Sequence, residues 1–270
     1  MKSEKGFSPT HLAFVRKHKI ETTLVWILRI GVLGIFLCLW EILAAYNVID
    51  SFISSSPSRI FKTIGVLFKE NNLIYHISVT LYETILGFLI SVIVGYFTAL
   101  LLWSFERLRR VLEPYIVVLN SLPKIALGPI IIIWFGSGSK AIIFMAVLIS
   151  VIVCTITMLG GFLSTDQNKV MLLKSMGANK FQILTKLVIP STYTTLINML
   201  KISIGMSWIG SIMGEYLVSR AGLGYLIVYG GQVFKLDLVM ASTIVLCVLA
   251  TLMYSIVALI ERKIVKSENK

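Results

Sequence analysis

The side chains of this sequence that could do chemistry are a few ionisable groups set inside long apolar stretches. Lys124 lies between Pro123 and Pro129, and Glu215 lies shortly before a Gly-Leu-Gly turn. An isolated charge at membrane depth costs ~2.5 kcal/mol or more, so such a residue is either functional or paired. A cation beside a proline-broken helix is suited to hold an anion, because the break frees backbone groups for a solute. We take Pro123, Lys124, Pro129 and Glu215 as candidate residues of a translocation path, with a snorkelling lysine and a capping glutamate as the alternatives.

Bond-making chemistry is not indicated by the remaining residues. No segment matches the Gly-x4-Gly-Lys-Ser/Thr phosphate loop, a zinc-protease signature or a Gly-x-Ser-x-Gly nucleophile turn. The three histidines are far apart in the sequence, and each cysteine, Cys38, Cys154 and Cys247, lies inside an apolar run. We therefore predict no catalytic residue, no metal site and no cofactor. Any ATP that drives this protein must be hydrolysed by another chain.

The composition assigns most of the chain to a lipid environment. Hydrophobic residues make up 57% of the sequence, charged residues 14%, and the mean hydropathy is +0.88. A soluble core of this length could not bury so much apolar surface. The net charge of +12 is divided among short clusters between apolar runs, so it indicates membrane topology and not nucleic-acid binding. The sequence predicts an all-α, polytopic membrane protein.

Six stretches are long enough to cross a bilayer of ~30 Å, which takes roughly 20 helical residues. Lys201 and Glu83 fall within them, and we expect these two residues to be paired or interfacial. Sixteen Lys and Arg residues fall in the loops on the side of the N-terminus and six in the loops on the other side, which predicts that both termini are cytoplasmic. An amphipathic helix too short to span is expected along the membrane surface at 57–72. The predicted spans are 24–46, 77–103, 115–135, 141–163, 194–218 and 238–260.

A polar stretch of about 30 residues follows the fourth span, and a cytoplasmic loop of that length usually carries a function. Apolar residues recur in it at helical spacing on both sides of Gly177. The pattern predicts two short amphipathic helices joined by a glycine bend. Thr165 or Asp166 could cap the first helix, and Pro190 is expected to end the second.

This stretch resembles the cytoplasmic loop of bacterial ABC importer permeases, whose pattern is Glu-Ala-Ala, then a Gly, then a Pro thirteen residues after that Gly. Gly177 and Pro190 have this spacing here, whereas Met171, Leu172 and Leu173 replace Glu-Ala-Ala. The departure removes the acidic anchor of the pattern. In the family this loop forms the coupling helix that sits in a groove of the ATPase. The resemblance therefore implies that ATPase coupling involves Met171, Leu172, Leu173, Lys174, Gly177, Ala178 and Pro190.

Three further blocks, in order along the chain, extend the resemblance over most of the residues after 57. They are Ser56-Pro57-Ser58, the run 122–129 with Trp134-Phe135-Gly136, and Glu215 followed by Gly222-Leu223-Gly224-Tyr225. These blocks are most similar to the permeases that import nitrate, alkanesulfonates, taurine and related small compounds. The resemblance implies a permease domain of MetI-like fold over 57–270, preceded by a cytoplasmic segment and a first transmembrane helix in 1–56.

The same resemblance implies partners and a location. A permease of this kind works with a dimer of cytoplasmic ATPase subunits and with an extracytoplasmic solute-binding protein, usually as a permease homodimer in the bacterial cell membrane. The alternatives from other classes are an ATP-independent secondary transporter or channel, and an intramembrane enzyme. The first would need buried ion ligands or two related halves, and the second a nucleophile and base at membrane depth.

Overall fold

The computed structural model describes residues 9–46, 48–50, 54–69 and 72–268. Within these ranges the chain forms helices joined by turns, without strands, which confirms the predicted all-α class. The chain divides into two compact units, Met1–Thr63 and Ile64–Lys270. The units are described separately below.

The first unit is built on helix α1, Pro9–Ala45, whose part Ile20–Ala45 is long and apolar enough to span a membrane. The side chains of Ile20–Ala45 are largely exposed, as expected for a helix whose surroundings are lipid. Helix α2, Pro57–Lys69, begins in this unit. Glu41 holds the start of α2, because its carboxylate accepts hydrogen bonds from the backbone N–H of Ser58, at 3.0 Å, and from the Ser58 hydroxyl.

The second unit contains the remaining helices, four of which form a bundle of membrane-spanning length. Helices α3 (Asn72–Ser104) and α6 (Ser139–Leu163) run parallel to each other, and α9 (Tyr193–Val218) runs antiparallel to both. The helices are α3 (Asn72–Ser104), α4 (Glu106–Ser121), α5 (Gly128–Phe135), α6 (Ser139–Leu163), α7 (Gln167–Ser175), α8 (Lys180–Ile183), α9 (Tyr193–Val218), α10 (Leu223–Gln232) and α11 (Leu236–Glu268).

Small residues let α3, α6 and α9 approach closely. Gly87 of α3 and Gly210 of α9 both face Ala146 of α6, and a Cβ built on either glycine would lie 2.5 Å from an Ala146 atom. In lipid, such close contact replaces the hydrophobic drive that packs helices in water. A hydrogen bond of 2.7 Å between the hydroxyls of Thr84 and Ser211 adds a polar contact inside the same bundle.

Five of the predicted spans correspond to continuous helices, with edges that differ by a few residues. The third, predicted at 115–135, is broken: α4 and the stretch Lys124–Phe135 meet at an angle of 85°. Pro123 explains the break, since proline removes a backbone donor and forces the preceding Leu122 into the extended region, at ψ 139°. The short helix expected at 57–72 is observed as α2.

The close contact at Ala146 generates a stability prediction. We expect Gly210→Ala to destabilise the protein, because its Cβ would meet the Ala146 backbone and overpacking costs ~1–3 kcal/mol. Gly205→Ala is the matched control on the same helix, since a Cβ there meets nothing within 4 Å. Alanine favours a helix over glycine by ~1 kcal/mol, so the control should be neutral or stabilising. Thermal unfolding in detergent measures both variants, and equal midpoints would contradict the packing role of Gly210.

Candidate functional site

The bend predicted at Gly177 is a helix-ending turn. The N–H of Gly177 donates to the carbonyl of Lys174 at 3.0 Å, and the N–H of Ala178 donates to that of Leu173 at 2.9 Å. This pair of bonds is the Schellman motif, which requires a left-handed residue at the position of Gly177. Gly177 has φ +80°, and glycine adopts this conformation without the penalty that a Cβ brings. The bend is therefore set by local chemistry.

Both helices beside the bend have capped starts. Of the two caps considered for α7, the structure uses Asp166, whose carboxylate accepts from the N–H of Asn168 at 2.9 Å. Asn179 and Gln182 form a capping box at the start of α8, with two reciprocal bonds of 2.8 Å. Beyond α8 a π-helical turn, Leu184–Val188, precedes Pro190. Helical structure continues to Ser191, so Pro190 lies within the last turn and does not end it as predicted.

The segment from Gln167 to Ser191, which we call the coupling segment, is anchored to the ends of the spanning helices. Ile183, Leu184 and Val188 are buried in one apolar cluster with Leu102 of α3 and Phe162 of α6. Apolar packing of this kind transmits displacement, because a close-packed core does not deform continuously. The coupling segment is packed directly against these two spans.

A polar contact adds to this anchor. The Lys180 ammonium donates to the backbone carbonyl of Ser104, the last residue of α3, and lies 5.8 Å from the ring centroid of Trp103. The cation therefore neutralises a free helix C-terminus and faces an aromatic ring at once.

On its outer side the coupling segment exposes apolar side chains. The exposed fractions are 66% for Met171, 61% for Leu172, 75% for Met176 and 71% for Phe181. We call these four residues the apolar face. An exposed cluster of large apolar side chains on a polar loop indicates an interaction surface.

The seven coupling residues predicted from the resemblance do not all point the same way. Met171 and Leu172 belong to the apolar face, and Lys174, Gly177 and Pro190 are also exposed, whereas Leu173 and Ala178 pack inward against the apolar cluster. Met176 and Phe181, which the predicted coupling set does not include, are exposed beside them in the sequence. In the sequence, the available signal for an interaction surface was the presence of these apolar residues in an otherwise polar loop.

The four path residues are separated between two regions. Lys124 lies at the break in the third span, where its ammonium donates to the carbonyl of Asn120 at 3.0 Å and so caps the end of α4. Pro123 precedes it, and Pro129 occupies the first turn of α5, where its missing N–H costs no hydrogen bond. Most of the broken span is exposed, although Ile131 packs against α6.

Glu215 lies instead at the end of the bundle opposite the coupling segment. It is 1% exposed, and its carboxylate accepts from the N–H of Gly224 at 2.6 Å, at the start of α10. His76 binds the same turn, since its Nδ1 accepts from the N–H of Gly222 at 2.9 Å. Glu83 of α3 is a direct neighbour of Glu215 and is equally buried. The structure thus brings together two carboxyl groups that the sequence analysis treated separately.

One ionisable group within another span of the bundle, Lys201, forms an ion pair. The expected pairing of Lys201 is confirmed, with its ammonium 2.5 Å from the carboxylate of Glu261. Glu83 has no ion pair within the part of the chain that the structure describes. Across the same described ranges no group of three or more His, Cys, Asp or Glu residues could hold a metal ion.

The anchor of the coupling segment generates a second prediction. We expect Lys180→Met to loosen the segment by about 1 kcal/mol, roughly a fivefold change in its opening equilibrium, because a hydrogen bond and an exposed cation–π contact are lost. Hydrogen–deuterium exchange over residues 166–190 measures the change. Lys186→Met is the control, since Lys186 is exposed on the same segment. Equal hydrogen–deuterium exchange in the two variants would show that the contacts of Lys180 do not stabilise the coupling segment.

Comparison with known proteins assigns the chain to a family. Residues 87–266 match the family described as the binding-protein-dependent transport system inner membrane component. An ABC transporter permease protein of Haemophilus influenzae is 30% identical over 224 residues, which cover 83% of this chain and 90% of the relative. The taurine transport system permease protein TauC of Escherichia coli is 24% identical over 231 residues, which cover 84% of each chain.

A solved structure supports the fold independently. A chain in the crystal structure of a bacterial ABC transporter that imports the acidic polysaccharide alginate matches with a TM-score of 0.64 at 14% identity, over 92% of this chain and 99% of that one. At this identity the likeness concerns the fold alone. The fold and the family match agree, and the chain belongs to the binding-protein-dependent transport system inner membrane components, the multi-pass permease subunits of ABC importers.

Proposed function

We propose that the coupling segment receives a separate cytoplasmic ATPase subunit on its apolar face. The observation that carries this proposal is the exposure of Met171, Leu172, Met176 and Phe181 on a segment that is otherwise capped and anchored. Exposure of four large apolar side chains to water is unfavourable, and such exposed apolar surface marks a site where a partner binds. Because Met171 stands where the family pattern has an acid, the contact depends on burial of apolar surface and not on a salt bridge from this position.

We expect a movement of the ATPases to be passed to the spanning helices through the buried residues of the coupling segment. Ile183, Leu184 and Val188 are packed against α3 and α6, so a displacement of the coupling segment carries these spans with it. Closing of two ATPase subunits would switch the path between outward-facing and inward-facing states, which is a rigid-body transition between two packed arrangements. The direction of transport is import, with the coupling segment and both termini in the cytoplasm.

We infer that two copies of this chain enclose the path, with the broken third span along it. Backbone groups freed at a helix break are tolerated in a membrane only beside protein or water. The break at Leu122 and Pro123 lies in a span that exposes most of its surface. A second copy and a water-filled path would supply hydrogen-bond partners for the backbone groups that the break frees. A solute-binding protein would deliver the solute at the opposite end of the bundle, near the turn at Gly222.

The solute class that these observations favour is a small anion such as a sulfonate, taurine or nitrate. Lys124 places a cation at the break, and the relative named for taurine transport is similar over 84% of this chain. Frayed backbone N–H groups and a nearby ammonium both favour negative charge. The capping bond of Lys124 to Asn120 is compatible with this role, since an ammonium has three donors.

ATPase docking is tested at the bend. Gly177→Val should lower copurification with the ATPase roughly 5- to 30-fold, because a β-branched residue in the left-handed region costs ~1–2 kcal/mol and displaces the apolar face. Gly177→Asn is the matched control, since asparagine tolerates this region and the space around Gly177 is open to either side chain. Pull-down of the ATPase from membranes measures both variants. Wild-type recovery with the valine variant would exclude a docking role for the bend.

The anionic solute is tested by uptake into proteoliposomes that contain the permease, its ATPase and its binding protein, with taurine, ethanesulfonate and nitrate as probes. Lys124→Met should lower uptake about tenfold, a loss of roughly 1.4 kcal/mol, and Lys124→Arg should retain most of it because the charge remains. Lys69→Met controls for loss of an exposed cation elsewhere. Undiminished uptake by Lys124→Met, or a transported solute that carries no anionic group, would refute the role of Lys124.

A further inference from the structure

Glu83 and Glu215 form a buried carboxyl pair with unused acceptors. Each residue is 1% exposed, and Oε2 of Glu83 and Oε1 of Glu215 are buried without a hydrogen-bond partner among the described residues. The two carboxyl groups are hydrogen-bonding neighbours of each other. The two residues differ in their other contacts. Glu215 is also engaged by the N–H of Gly224 and by Thr80, and Glu83 also by the Ser139 hydroxyl.

Glu83 also lines a cleft of about 310 Å³ at this end of the bundle. The cleft lies between the first turns of α3 and α6 and the loop after α9, so it opens away from the coupling segment. Its other polar lining is mostly hydroxyl groups, contributed by Tyr75, Ser137, Ser139 and Ser219. A concave site of this size with a few convergent polar groups is typical of a small-molecule site.

The chemistry of the lining selects a cationic group that donates hydrogen bonds. Carboxylate oxygens only accept, and hydroxyls can accept as well, so a ligand with several N–H donors satisfies the cleft fully. A divalent metal fits less well, because no cluster of three or more acidic, His or Cys residues occurs in the described ranges. Arg220 lines the mouth of the cleft but is exposed and forms no ion pair with Glu83 among the described residues.

We propose that this cleft binds an ammonium or amidinium group of the transported solute, with Glu83 as the acceptor at its floor. Glu215 positions the turn at Gly222–Gly224 that closes one side, and places a second carboxyl group behind Glu83. The inference rests on the proposed function, in which this end of the bundle receives the solute. It narrows the solute to anions that also carry a cationic nitrogen, and disfavours nitrate and simple alkanesulfonates.

A labelling experiment on the full-length permease in lipid nanodiscs tests the cleft without ATPase, binding protein or transport. Ser137→Cys at the cleft is the reporter, in a background where the exposed Cys38 and Cys247 are replaced by alanine. Ethylammonium chloride is the cationic probe, with n-propanol as the neutral isostere and sodium chloride at equal ionic strength. At twice its dissociation constant, ethylammonium should slow alkylation by a maleimide about threefold, and neither control should slow it.

Variants of the carboxylate and of the nearby cation give the second readout. Glu83→Gln should abolish the protection by ethylammonium, and Glu83→Asp should restore part of it because the charge is kept. Arg220→Gln should preserve or increase the protection, since a competing cation is removed. Equal slowing by n-propanol, protection that persists in Glu83→Gln, or loss of protection in Arg220→Gln would each overturn the proposal. If a Glu83 variant does not fold, the comparison of ethylammonium with n-propanol on the chain that retains Glu83 still tests the proposal.

Failure here and failure of the proposed function remain distinguishable. The labelling assay reports only on the cleft, whereas ATPase pull-down and ATP-driven uptake report on coupling and transport. Intact coupling with no protection by ethylammonium would leave the importer proposal standing and remove the cationic site.

Discussion

The close contact of α3, α6 and α9 at Ala146 is the constraint on which the other features depend. Gly87 and Gly210 approach this alanine from two sides, and no side chain could replace either hydrogen without moving a helix. Helices in lipid gain little from burying apolar surface, so close packing and a few buried hydroxyl bonds must hold them together. Further close approaches, of Gly95 to Cys154 and of Gly161 to Thr195, continue this packing toward the other end of the bundle.

At one end, this rigid bundle receives the coupling segment. The Schellman turn at Gly177, the cap at Asp166 and the capping box at Asn179 fix the local shape, and the packing of Ile183 and Val188 fixes its place. Local bonds alone would leave a short helical hairpin free to fray, since isolated short helices are marginal in water. Anchored in this way, the apolar face is presented as a fixed surface and not as a mobile loop.

At the other end, polar groups are concentrated where the helices meet the turn at Gly222. Glu215, Thr80 and His76 bind the backbone N–H groups of that turn, which ordinary helix geometry would leave without partners. Buried polar networks of this kind are stable only when their members are satisfied. Oε2 of Glu83 and Oε1 of Glu215 are buried without a hydrogen-bond partner among the described residues, in a region whose other polar groups are mostly bonded. Because Glu83 lines a cleft, a ligand bound there would supply the missing donor.

The sequence by itself determined the all-α class, the approximate spans, the helix pair around Gly177 and the permease family, because hydropathy, turn chemistry and motif spacing are local properties. Only the tertiary structure decided which way the coupling residues point: Leu173 and Met171 are both apolar, yet one packs inward and the other is exposed. It likewise decided the 85° break at Pro123, which the sequence indicated only as an interruption. The neighbourhood of Glu83 and Glu215 joins residues 132 positions apart in the chain. No local pattern records such a contact, because it depends on how three helices pack.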